Sequence, residues 1–215
     1  LLALLANDSD PFNRWEAGQR LAAAGALAFV RGDGGQESWR LDEAFLDAMR
    51  SVLRHPDLDA AFKELVLTLP GETYIAEQMD VVDPQRIHQV REAMRQQLAT
   101  ALHADWEQVF EANQVLGAYS PDPVSSGRRA LAGLALTHLC IAARASGDAV
   151  WPGRAYQRFK DASNMTDRFN ALAALVTAGS ELAAQALQRF HAMFKNEALV
   201  LDKWFAIQAT SRLGT

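Results

Sequence analysis

Apolar residues recur at helical spacing along almost the whole of this 215-residue chain, and no segment alternates with period two for long enough to build a strand. The longest example runs from Asp83-Pro84 to about Asn113. Ile87, Val90, Met94, Leu98, Leu102, Trp106, Val109 and Phe110 form one stripe, and Gln85, Arg86, Gln89, Glu92, Arg95 and Gln96 lie opposite. Composition agrees, because 39 alanines and 27 leucines make up close to a third of the chain. Both are strong helix formers, with little side-chain freedom to lose. The spacing therefore predicts an all-α protein.

Local signals divide the pattern into about ten helices. Asp10-Pro11 reads as an N-cap with proline at the first helical position, opening a helix to about Val30. Gly18, Ala22, Gly25 and Ala26 give that helix a face of small residues. Arg31–Gly35 breaks the chain. Phe45, Met49, Val52 and Leu53 mark a second helix, ending at His55-Pro56. Asp57 is expected to cap a third, with Leu58, Phe62, Leu65, Val66 and Leu69 inward and Pro70-Gly71 as the stop. A short helix covers about Glu72 to Met79. After the long stripe, Gly117–Gly127 reads as a loop, with Ser125 or Ser126 capping a helix whose Ala130–Ala143 segment is apolar nearly all round. Four helices follow, at about Val150–Ala162, Met165–Ala178, Glu181–Phe194 and Ala198–Ala209, the second opened by an Asn164…Asp167 capping-box-like pair. Short turns between helices predict stacked antiparallel pairs in an irregular superhelix, of HEAT or armadillo type, without a fixed repeat period.

Charge and motif content exclude most chemistries. With 21 basic against 26 acidic residues and a net charge of −5, the chain lacks the basic footprint of a nucleic-acid binder. Its longest apolar run, 130–143, is too short for a membrane span of about 20 residues. No nucleic-acid or membrane partner is expected. The histidines at 55, 88, 103, 138 and 191 include no pair four apart, so no His-Glu-x-x-His helix exists here. His138 and Cys140 are two apart and point to different faces of a helix, so both are expected to be core residues. Apolar neighbours make Cys140 an inert thiol. His88–Glu92 and His103–Glu107 suit surface ion pairs. Gly32–Gly35 lacks the strand and spacing of a phosphate loop, and Arg31-Gly32-Asp33 is a triplet common by chance. Trp151, Arg154, Tyr156, Arg158 and Phe159 interleave rings with cations, for which an amphipathic helix is the better account than base stacking. The residues thus assign no catalytic group, no metal ligand and no substrate-binding residue.

Five runs are more specific than helix-forming composition. They are Asn7-Asp8-x-Asp10-x-Phe12-x-Arg14-Trp15-Glu16-Ala17-Gly18-Gln19, Leu67-Thr68-Leu69-Pro70, Val82-Asp83-Pro84, Asn164-Met165-Thr166-Asp167, and Asp202-Lys203-Trp204-Phe205 with Gln208-Ala209-Thr210. In this order the chain resembles the C-terminal helical domain of the bacterial aminopeptidase N family over nearly all of 1–215. The resemblance implies a superhelix closing a cytoplasmic zinc metallopeptidase that removes N-terminal residues from peptides. The family's zinc ligands, general base and Gly-x-Met-Glu-Asn loop belong to an earlier catalytic domain and match nothing here. Its helical domain also continues into further helices, some bearing arginines toward the substrate cavity. Residues 1–215 are then expected to be one helical domain, truncated at both ends, starting without Met and catalytically silent by itself. Its partners would be the remaining domains of the same polypeptide and the peptide substrates, with zinc the parent's cofactor and none in this part. For Asp202, Lys203 and Trp204, salt-linked capping and core packing are the expected roles. The alternative is a stand-alone helical-repeat scaffold that binds a protein or peptide on a concave face.

Overall fold

Backbone donors and acceptors left over at helix ends decide how this chain is organised, since each α-helix leaves four N–H and four C=O groups without internal partners. A computed structural model describes residues 1–32 and 39–211, so the expectations placed on Asp33–Gly35 lie outside the described residues. It contains twelve helices and, among the described residues, no strand. They are α1 (Leu2–Asn7), α2 (Pro11–Val30), α3 (Glu43–Arg54), α4 (Ala60–Leu67), α5 (Glu72–Ala76), α6 (Pro84–Ala101), α7 (His103–Ala112), α8 (Pro123–Ser146), α9 (Val150–Asp161), α10 (Met165–Ala178), α11 (Ala183–Phe194) and α12 (Ala198–Ala209). The all-α, stacked-pair architecture agrees with the sequence pattern.

The two helices beyond the expected ten have local causes. The apolar phase of Leu1–Leu5 forms α1. The long stripe is interrupted at Leu102, whose φ of −109° and ψ of 21° separate α6 from α7. Two start signals also differ from expectation. Asp59, not Asp57, caps α4 by accepting from the Phe62 N–H, and the later start leaves Leu65 half exposed rather than inward. Asp122, not Ser125 or Ser126, caps α8, because Pro123 takes the first helical position and the Ser125 N–H donates to the Asp122 carboxylate at 2.9 Å. In both cases the aspartate directly before the first helical residue accepts the N–H three residues on, which is the N-cap geometry.

At the other ends, cations dominate. The C-termini of α8 and α10 use glycine in the left-handed region, Gly147 (φ 72°) and Gly179 (φ 62°), where a Cβ would be strained. Most of the remaining helices are closed by a side chain from another helix. Arg14 of α2 donates to the Asp8 carbonyl after α1, and Lys63 of α4 to Leu53 near the end of α3. Arg128 of α8 bonds Ala112 and Gln114 at the end of α7, and Arg168 of α10 bonds Phe159, Lys160 and Ala162 at the end of α9. Arg86 of α6 reaches Phe29 in α2, Arg91 reaches Pro70 beyond α4, and Arg144 reaches Ala178 in α10. The positive charge sits on the negative end of each helix dipole. In four pairs of consecutive helices the later helix closes the earlier one.

Two compact units result, Leu1–Asp105 and Trp106–Thr215. In the first, α2 packs on α1, α4, α5 and α6, around Met49, Val52, Leu67, Ile75, Ile87 and Met94. Asp105, nearly buried, holds Arg54 at 2.5 Å and Arg50 at 3.5 Å. In the second, α10 packs on α8, α9, α11 and α12, over Trp106, Leu131, Leu139, Phe159, Leu172, Leu175 and Phe190. The α8–α10 approach is close at Gly133, where a Cβ would lie 2.8 Å from Asn170 Nδ2 and 3.2 Å from Asn170 Cβ. Among the described residues, no helix is long and apolar enough to cross a membrane.

Four outcomes follow from these contacts. Gly133→Ala is expected to lower stability by about 1 kcal/mol, because overpacking costs about 1–3 kcal/mol and outweighs a helix-propensity gain of up to about 1 kcal/mol. Gly153→Ala in α9, where a Cβ meets nothing within 4 Å, should instead raise it by about 0.5–1 kcal/mol; urea midpoints decide both. Arg168→Ala should cost roughly 2 kcal/mol, and Arg168→Lys should recover less than half, since an ammonium cannot span three carbonyls. Bonds from the Ser125 backbone and hydroxyl hold the Asp122 carboxyl down at about 2, against 3.8 normally. A depressed carboxyl stabilises fully above pH 3.8 and loses this contribution as pH falls toward 2. Acid titration of Asp122→Asn should lack that component.

Candidate functional site

The most connected cluster of polar side chains lies in the second unit, at the start of α10. Asn164 caps that helix by accepting from the Asp167 N–H at 2.9 Å, as the sequence implies. The return arm differs from a regular capping box. The Asp167 carboxylate takes the Asn164 side-chain amide at 2.8 Å, and its other oxygen takes Arg158 of α9, also at 2.9 Å. Arg129 of α8, buried, stands 3.8 Å from the same carboxylate, donates to the Ser120 carbonyl at 2.8 Å and lies 4.6 Å from the Tyr119 ring centre. Asn170, one turn on, donates to the Arg129 carbonyl at 3.2 Å. One buried carboxylate thus joins α8, α9 and α10.

Beside this node runs an open groove of about 440 Å³ between the end of α7 and α9. Phe110 forms its floor, with Arg154 and Arg158 over the ring at 5.4 and 5.5 Å. Arg154 also stacks on Trp151 at 4.2 Å and pairs with Glu111, and Arg158 donates to Gln114. Gln157, Asp161 and Ser163 complete the rim. The lining can form hydrogen bonds, but both arginines are already matched by carboxylates, and no nucleophile is paired with a base there.

The sequence-selected residues take places consistent with packing. Cys140 is fully buried, and burial pushes its thiol up to about 12. His138 stacks on Trp106 at 4.4 Å with the rings nearly parallel. His88 pairs with Glu72 at 3.2 Å, whereas Glu92 pairs with Arg95 at 2.9 Å. Glu107 accepts the Trp151 indole N–H at 3.3 Å. Trp151 and Phe159 are core residues, and Tyr156 lies beside Phe159, so the ring-and-cation run on α9 is engaged in packing. Trp204 donates to the Leu187 carbonyl at 3.0 Å, and Lys203 lies 5.6 Å from the Phe169 ring centre. The capping role expected at Asp202 is not realised, since it sits mid-helix and exposed in α12. Sequence reasoning missed Arg129 and Arg158 as partners of Asp167, and Gln114 as a partner of Arg158. Among the described residues, no group of three or more His, Cys, Asp or Glu could hold a metal ion.

Four of the five more specific runs lie at helix ends, whereas Asp202–Phe205 lies inside α12. Asp8 Oδ1 accepts the Asp10 N–H at 2.7 Å, Asp10 accepts that of Phe12 at 2.8 Å, and Gln19 donates to Thr68 at 2.9 Å. The sequence matches across residues 1–215 the model of a family described as a domain of unknown function (DUF3458_C) with ARM repeats. The chain belongs to that family. Relatives of this DUF3458_C domain include proteins named aminopeptidase N. That of Caulobacter vibrioides is 35% identical over 205 residues, 95% of this chain and 23% of the relative. That of Escherichia coli is 31% identical over 98% of this chain and 24% of its own length, and that of Haemophilus influenzae 30% over 98% and 23%. The chain therefore spans about a quarter of the length of the relatives it matches. A solved structure of Legionella pneumophila aminopeptidase A in complex with aspartic acid shares the fold, with a TM-score of 0.81 at 23% identity, covering 99% of this chain and 25% of that one.

If Asp167 is the node of the second unit, Asp167→Ala strands two arginines and should cost about 3 kcal/mol by denaturant unfolding. Arg158→Ala, removing the more exposed partner, should cost clearly less.

Proposed function

We propose that this DUF3458_C domain is part of the C-terminal helical domain of a zinc-dependent aminopeptidase N. Alignment of nearly the whole chain with a quarter of three aminopeptidase N proteins carries the reading. In it, the complete polypeptide is a cytoplasmic hydrolase that removes N-terminal residues from peptides, and zinc is held in another part of that polypeptide. Residues 1–215 belong to one helical domain that continues at both ends. They pack over the catalytic domain, enclose the active-site cavity and limit access to peptides.

The engaged state of the polar side chains supports a covering role. A wall excludes folded proteins only if it stays rigid, and here arginines close the helices while Asp167 ties three of them together. The armadillo-type description favours a second reading, a stand-alone scaffold that binds a protein or peptide on a concave face.

Release of a chromogenic amine from alanyl and leucyl anilides separates the two. The complete polypeptide should hydrolyse both, a chelator should abolish the activity, and residues 1–215 alone should release nothing. Chelator-sensitive hydrolysis by the isolated chain would overturn its silence. An inactive complete polypeptide, with peptide binding by residues 1–215, would favour the scaffold.

A further inference from the structure

We draw no further inference here: the strongest candidate, the exposed apolar face of α12 around Leu199 and Phe205, has nothing in the structure to show what covers it.

Discussion

The twelve helices among the described residues must find partners for many backbone carbonyls, and they meet the demand largely with guanidinium groups. Glycine solves the problem locally, at Gly147 and Gly179, by turning the chain back. Arginine solves it at a distance, so the same bond that ends a helix also attaches a neighbour. Arg128 and Arg168 each sit at the start of an even-numbered helix and close the odd-numbered one before it. Termination and tertiary packing are one interaction in these pairs. The forked, always-charged head reaches two or three carbonyls at once, where a hydroxyl has a single donor to give.

That arrangement explains which parts were legible from the residues. Helix existence was, because the 3.6-residue spacing of apolar side chains is local and nearly uninterrupted. The break at Leu102 was not, because Leu102 and Trp106 continue the stripe without a Gly or Pro. Asp105, in the first turn after that break, is held by Arg50 and Arg54, contacts far away in sequence. The cap at Asp122 was overlooked because two serines nearby compete for the same role, and only the position of Pro123 decides between them.

The Asp167 cluster was half legible. Asn164 and Asp167 announce a helix start by spacing alone, but nothing local says that the carboxylate is also the meeting point of Arg129 and Arg158. A buried charge bound this way contributes little net stability against an apolar replacement, because desolvation offsets most of the attraction. Its effect is selective instead: any packing of α8, α9 and α10 that separates the three groups leaves charges uncompensated. Four of the five runs that resemble aminopeptidase N lie where helices start, end and meet, which ties them closely to the fold.

Dependence on guanidinium divides the cations of this chain into two populations. Most of its basic residues are arginine, and many of these donate to backbone carbonyls; among the described residues one of the four lysines, Lys63, does so. Reagents that modify amines would reach side chains peripheral to the frame. Dicarbonyls that condense with guanidinium would compete for the groups that hold it together.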